Sequence, residues 1–245
     1  MKSMRTLCAA LSMLLTSNAV MADENTNTFV EANMLATLYH ELGHALIDLQ
    51  QMPIFGQEED AADVLSVLLI NAFYEEEDAV ALAYDTAFGF LGEDEHAKAE
   101  GYAPAWWDVH GPNLQRYYNL VCLFYGAAPE EREDVARELG LPDDRAASCP
   151  DEFALADASW SSVLDEMTKE APSDTIHLGR VTDLDSPVAV LIKAEIELLN
   201  KDFALAGNLD IHIESCGEAN AFYNPEDRSI TLCTEYADYL AKLAP

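Results

Sequence analysis

Positive charge is scarce in this sequence: 13 lysines and arginines stand against 45 aspartates and glutamates, a formal net charge of −32 over 245 residues. Nucleic-acid binding needs a basic surface that releases counterions, so that function class is excluded, and anionic membranes are equally disfavoured. Long apolar runs are missing too. After residue 22 no segment offers the roughly eighteen uninterrupted apolar residues that a membrane-spanning helix needs. The cysteines include no C-x-x-C pair, which argues against a cysteine zinc site, and there is no Asp-x-Asp-x-Asp-Gly calcium loop. Internal repeats and low-complexity linkers are absent as well, and the length fits one domain with an ample core.

What is present begins with an export signal. Lys2 and Arg5 precede an apolar run over residues 7–15, and Val20-Met21-Ala22 supplies small residues where a signal peptidase cuts. The mature chain is expected to begin at Asp23, as one domain over 23–245, soluble and periplasmic or extracellular. Loss of Lys2 and Arg5 takes the formal charge from −32 to −34. Cys8 leaves with the signal, and the remaining Cys122, Cys149, Cys216 and Cys233 are an even number, as an oxidising compartment favours. Three pairings are open. The preferred one joins Cys122 to Cys149 and Cys216 to Cys233, because each pair flanks one local unit.

The chain is organised around Tyr39-His40-Glu41-Leu42-Gly43-His44-Ala45-Leu46-Ile47. His40 and His44 are four positions apart, so on a helix they share one face and both imidazoles reach a single metal ion. Met34, Leu35, Leu38, Leu42, Ala45, Leu46 and Leu49 recur at helical spacing around them. Glu41 leans over the same rim and is placed to act as a general base toward a metal-activated water, the chemistry of hydrolysis. Gly43 costs a helix about 1 kcal/mol relative to alanine, which points to a close approach by another backbone.

Downstream lies Glu58-Glu59-Asp60-Ala61-Ala62-Asp63. His-Glu-Leu-Gly-His followed by Glu-x-x-Ala-Asp resembles the gluzincin branch of the zincin metallopeptidases. That resemblance implies Zn²⁺ as cofactor, a peptide substrate, Glu59 as third ligand, and Asp63 as acceptor for the free ring N–H of a liganding histidine. The connection from His44 to Glu59 is short for gluzincins, so Glu58 and Asp60 stand as substitutes. More narrowly, residues 39–69 resemble a little-characterised bacterial family of metallopeptidases. Two further blocks fit that family: 107–122, with Asp108, His110, Arg116 and Asn119, and 216–235, with Asn220, Tyr223 and Arg228. In that family the second block precedes the metal helix, so the resemblance implies a circular permutation here.

The rest of the chain reads as follows. A turn at Pro53 and Gly56 leads into two helices, or one bent helix, over 61–90. Residues 101–111 form an aromatic loop holding Trp106, Trp107 and His110. Residues 112–125, 129–139 and 150–167 read as helices opening near prolines. Residues 175–181 suit a strand and 188–206 a helix. Residues 209–215 alternate apolar and polar, Asn224-Pro225-Glu226-Asp227 suits a turn, and 229–234 runs extended: together a β-hairpin, followed by a short helix over 235–243. The hairpin over 220–232 resembles the element of zincins in which a small sheet backs the metal helix and its edge strand pairs with the substrate main chain. His212, at a polar position of its strand, reads as solvated.

The fold expected is therefore α+β and zincin-like: mostly helical, with a small sheet drawn from 176–245 packed on the metal helix. The activity expected is zinc-dependent peptide hydrolysis by an exported protein, with His110 the first choice for a donor to the oxyanion. The alternative is a non-catalytic secreted protein that binds a metal or a peptide. Sequence leaves the oligomeric state open.

Overall fold

A computed structural model describes residues 7–245, with side chains from residue 24 onward. The export signal expected at 1–22 lies outside the residues described with side chains. The element order is α1 (Leu7–Leu49), α2 (Glu58–Phe73), α3 (Glu76–Ala99), α4 (Asn113–Ala127), α5 (Glu133–Glu138), α6 (Asp143–Ala146), α7 (Cys149–Thr168), β1 (Ile176–Val181), α8 (Pro187–Asp202), β2 (Leu209–Glu214), β3 (Ala221–Asn224), β4 (Ser229–Cys233) and α9 (Thr234–Leu243). The fold class is α+β, mostly helical with one small mixed sheet.

The second half of α1 is the axis of the molecule. Met34, Leu35, Leu38, Leu42, Ala45 and Leu46 are all buried, and so are Phe29 and Tyr39 on its other sides. A helix apolar almost all round is stable only when enclosed, and α2, α3, α8, α9 and the β3–β4 hairpin surround it. α2 and α3 are separate helices. The break falls at Tyr74 and Glu75, both extended, before the acidic first turn Glu76-Glu77-Asp78 of α3.

The sheet runs β1-β2-β4-β3, with β1, β2 and β4 parallel and β3 antiparallel to β4. The hairpin is thus made by β3 and β4, while β2 joins β4 as a parallel neighbour. The hairpin expected over 220–232 is therefore the β3–β4 pair, and what sequence did not give is the parallel place of β2 beside β4. The same topology corrects the reading of His212. As part of an inner strand it is buried rather than solvated; it packs over Gly179, and its Nδ1 accepts the Arg180 N–H at 2.8 Å. The helix expected over 129–139 is confined to α5, because residues 129–132 form turns closed by Glu131 and Arg132 N–H on the Ala128 carbonyl.

Both expected disulfides are present, Cys122–Cys149 and Cys216–Cys233. The first ties α4 to the start of α7 where Gly126 lets the helices close: a Cβ there would stand 2.3 Å from the Cys149 carbonyl oxygen. The second ties β4 to the loop entering β3. No helix among the described residues is long and apolar enough to cross a membrane, and with two disulfides this is compatible with an exported protein.

Candidate metal centre

His40 and His44 project from adjacent turns of α1 toward the first turn of α2. His40 Nδ1 meets Asp63 Oδ1 at 2.7 Å, and His44 Nδ1 meets Glu58 Oε1 at 2.8 Å. A carboxylate at Nδ1 fixes the proton there, and a neutral imidazole then turns its Nε2 lone pair outward. The two Nε2 atoms face each other at 3.3 Å, and each lies 3.2 Å from Glu59 Oε2.

Three lone-pair donors at the corners of a nearly equilateral triangle repel one another unless positive charge sits between them. Ligands held about 2.0–2.1 Å from a tetrahedral zinc ion stand about 3.3 Å apart, the spacing found. These residues fit a zinc-sized cation with two nitrogen donors and one oxygen donor. The acidic surroundings favour positive charge here, and without an ion they draw a proton onto the imidazoles. Burial lowers the pKa of His40, but the carboxylates of Asp63 and Glu59 outweigh it and bring it to about 9. Burial raises the Glu59 pKa, and hydrogen bonds with His110, His40 and His44 overturn that and hold it far below the usual carboxylate range.

Asp63 is itself anchored. Arg116 of α4 donates from Nε to Oδ2 at 2.8 Å and from Nη2 to Oδ1 at 2.7 Å, while its guanidinium lies over the Phe90 ring of α3 at 4.5 Å. Orientation therefore passes from α4 through Asp63 to His40. Behind the motif, the Tyr39 hydroxyl donates to buried Glu195 of α8 at 2.6 Å, and Tyr74 adds a second hydrogen bond at 3.2 Å.

Glu41 is buried beside the centre, only 6 % exposed. Burial raises its pKa, the neighbouring His40 and His44 draw it down, and the net shift is upward. The Tyr223 N–H faces this carboxylate. Sheet register explains why that donor is free. Cys233 N donates to Asn220 O at 3.1 Å, so alternation turns the peptide groups of residues 222 and 224 toward β4 and those of Ala221 and Tyr223 toward the open edge. The Tyr223 hydroxyl pins this edge to α1 by donating to Asp48 at 2.7 Å.

His110 arrives from the aromatic loop between α3 and α4. Its Nε2 lies 2.8 Å from Glu59 Oε2, and His40, Glu59 and His110 together offer donors close enough to share one ion. The structure thus brings His40, Glu41, His44, Glu59, Asp63 and His110 to one place. Asp60 does not offer an atom to the triangle; it lines a cavity alongside. Glu58 touches the outer nitrogen of His44 and not the triangle, a role the sequence did not single out. Its position one residue ahead of Glu59 was the available signal. The part played by Arg116 had no local signal, because its partner lies 53 positions away.

A family model described as "Putative metallopeptidase" matches residues 5–164 and 187–244, and the chain belongs to that family. No curated protein and no solved structure matches it. Family membership implies a metal and a peptide substrate, and the convergence of histidine and glutamate donors is where a metal could be held.

Proposed function

We propose that the chain is an exported zinc peptidase of zincin type, with residues 1–22 as its signal peptide and 23–245 as one domain. His40, His44 and Glu59 hold the zinc, and Glu41 is the general base. The observation that carries this reading is the triangle of two Nε2 atoms and one Oε2, with sides of 3.2, 3.2 and 3.3 Å. Zinc bound there would supply a water of lowered pKa and polarise the scissile carbonyl. The Glu41 carboxylate would accept a proton from the attacking water and pass it to the leaving amine, a task suited to a buried carboxylate with a raised pKa. Asp63 and Glu58 hold the two imidazoles in the ligating tautomer. His110, from its loop, donates to the oxyanion. The open edge of β3 offers the Ala221 peptide group for pairing with an extended substrate.

The placement of the β3–β4 hairpin and α9 against α1 also supports the inferred circular permutation.

One observation favours a second reading. His110 reaches Glu59 as closely as the other histidines do, and a fourth protein ligand would close the site, as in structural zinc centres. Metal analysis and turnover on unfolded casein separate the two. The peptidase reading expects about one zinc per chain, and Glu41→Gln should keep the metal while lowering hydrolysis by about 10²–10⁴-fold. Full activity in that variant would refute Glu41 as the base, and a zinc-loaded parent without turnover would favour the non-catalytic reading.

A further inference from the structure

Two depressions meet at the metal centre and share His40, Glu41 and His110. One runs along α1 beneath β3, where Asp48 and Glu58 face it and, among the described residues, no lysine or arginine does. The other sinks between α1, α3 and α4 as a cavity of about 650 Å³. Its two cations are already committed. Arg116 forks onto Asp63 at 2.8 and 2.7 Å, and Arg145 forks onto Glu152 at 2.5 and 2.7 Å.

Besides Glu41, two carboxylates in that cavity have no such partner. Asp60 has no hydrogen bond among the described residues, and Glu93 has one, from the Tyr236 hydroxyl at 3.3 Å. Burial raises the pKa of Glu93, so its charge is poorly compensated where it stands, although Arg116, and more weakly His110, act on it. The cavity walls include Phe90, Val67, Leu120 and Leu123. An apolar sleeve with an acid inside fits a side chain that has an aliphatic stem and a cationic head, which describes lysine and arginine. The chain as a whole, with 45 acids against 13 bases, would steer cationic peptides toward such a cleft.

We propose that the cleft selects cationic peptides and that Glu93 is the specificity residue that receives a lysine or arginine side chain near the scissile bond. This rests on the peptidase reading for its reaction, though the binding preference can be measured without it. The test uses paired peptides that differ only in one lysine or methionine, walked through each position. Their binding to the zinc-loaded Glu41→Gln protein is measured by calorimetry, with and without Glu93→Gln.

At one position the lysine peptide should bind at least about tenfold tighter than its methionine partner, and Glu93→Gln should bring the pair within about threefold. Circular dichroism verifies that the variant is folded. In the protein with Glu93 intact, the preference should also shrink as ionic strength rises from about 0.01 M to about 1 M, which needs no further substitution. Equal affinities at every position overturn the proposal, as does a lysine preference that survives either Glu93→Gln in a folded protein or high salt. If the lysine peptide binds selectively but the protein with Glu41 intact never cleaves it, the peptidase reading fails and the selective pocket stands.

Discussion

Gly43 of α1 rests so close to Ala62 of α2 that a Cβ on Gly43 would stand 2.8 Å from the Ala62 Cα and 3.0 Å from its Cβ. The pair sets the distance between the two helices that carry the proposed ligands, since Glu59 and Asp63 lie one turn before and one residue after Ala62. Alanine at position 43 gains about 1 kcal/mol of helix propensity but must push α2 away at its backbone. Gly43→Ala should therefore lose about 1–3 kcal/mol of stability and bind zinc more weakly. Thermal unfolding and a zinc titration check both; a variant matching the parent in each would show that the contact is not limiting.

Glu58 and Asp63 act on the outer nitrogens of His44 and His40, so neither removal abolishes binding. Glu58→Ala and Asp63→Ala should each weaken zinc affinity by about 10–100-fold, with the larger effect at Asp63, which is less exposed and also carries Arg116. Glu59→Ala should cost more than either. A competition titration that ranked Glu58→Ala above Glu59→Ala would reassign the third ligand.

Arg132 is buried over the Phe124 ring, and its guanidinium meets both oxygens of Glu76 at 2.9 and 2.7 Å. The Arg132 hydrogen bonds hold the Glu76 carboxyl below its ordinary pKa. A depressed carboxyl stabilises the fold above its unfolded pKa, about 4.3, and that contribution is lost as pH falls through the folded value. Glu76 is half exposed, so solvent screening limits the effect to about 1–2 kcal/mol. Glu76→Gln should lower the melting temperature at pH 7 by several degrees and converge on the parent in acid. A gap that persisted unchanged at low pH would rule out the charge as its source.

The Cys216–Cys233 bond spans 17 positions and encloses β3. Replacing both cysteines with serine should cost about 3 kcal/mol through freedom returned to the unfolded chain. The metal triangle does not involve this loop. Zinc affinity should thus stay within about twofold of the parent while kcat/KM falls about tenfold or more, as an edge strand left untied orients substrate poorly. Equal losses in both would mean the hairpin supports the metal helix itself.

Much of this was legible because the proposed metal ligands are local and periodic. His40 and His44 share a helix face by spacing alone, Glu59 and Asp63 repeat that spacing, and Gly43 announced a close crossing by being a poor helix former. What escaped detection depends on distant partners. Arg116 means nothing until α4 lies beside α2, Glu58 differs from its acidic neighbours only by the way α2 is rotated, and β2 takes a parallel place beside β4 that its own residues do not give. His212 misled because alternation assigns polar residues to solvent, which fails on an inner strand where the ring lies over Gly179 of the neighbouring strand.

Asp63 and His40, whose side chains meet, are separated by 23 positions, whereas Tyr223 and Asp48, which bring the edge strand to the same helix, are separated by 175. Synthesis runs from the first residue to the last. On the peptidase reading, every residue proposed to hold the metal therefore precedes the strand proposed to pair with a peptide, and a chain truncated ahead of residue 221 would keep the first and lack the second.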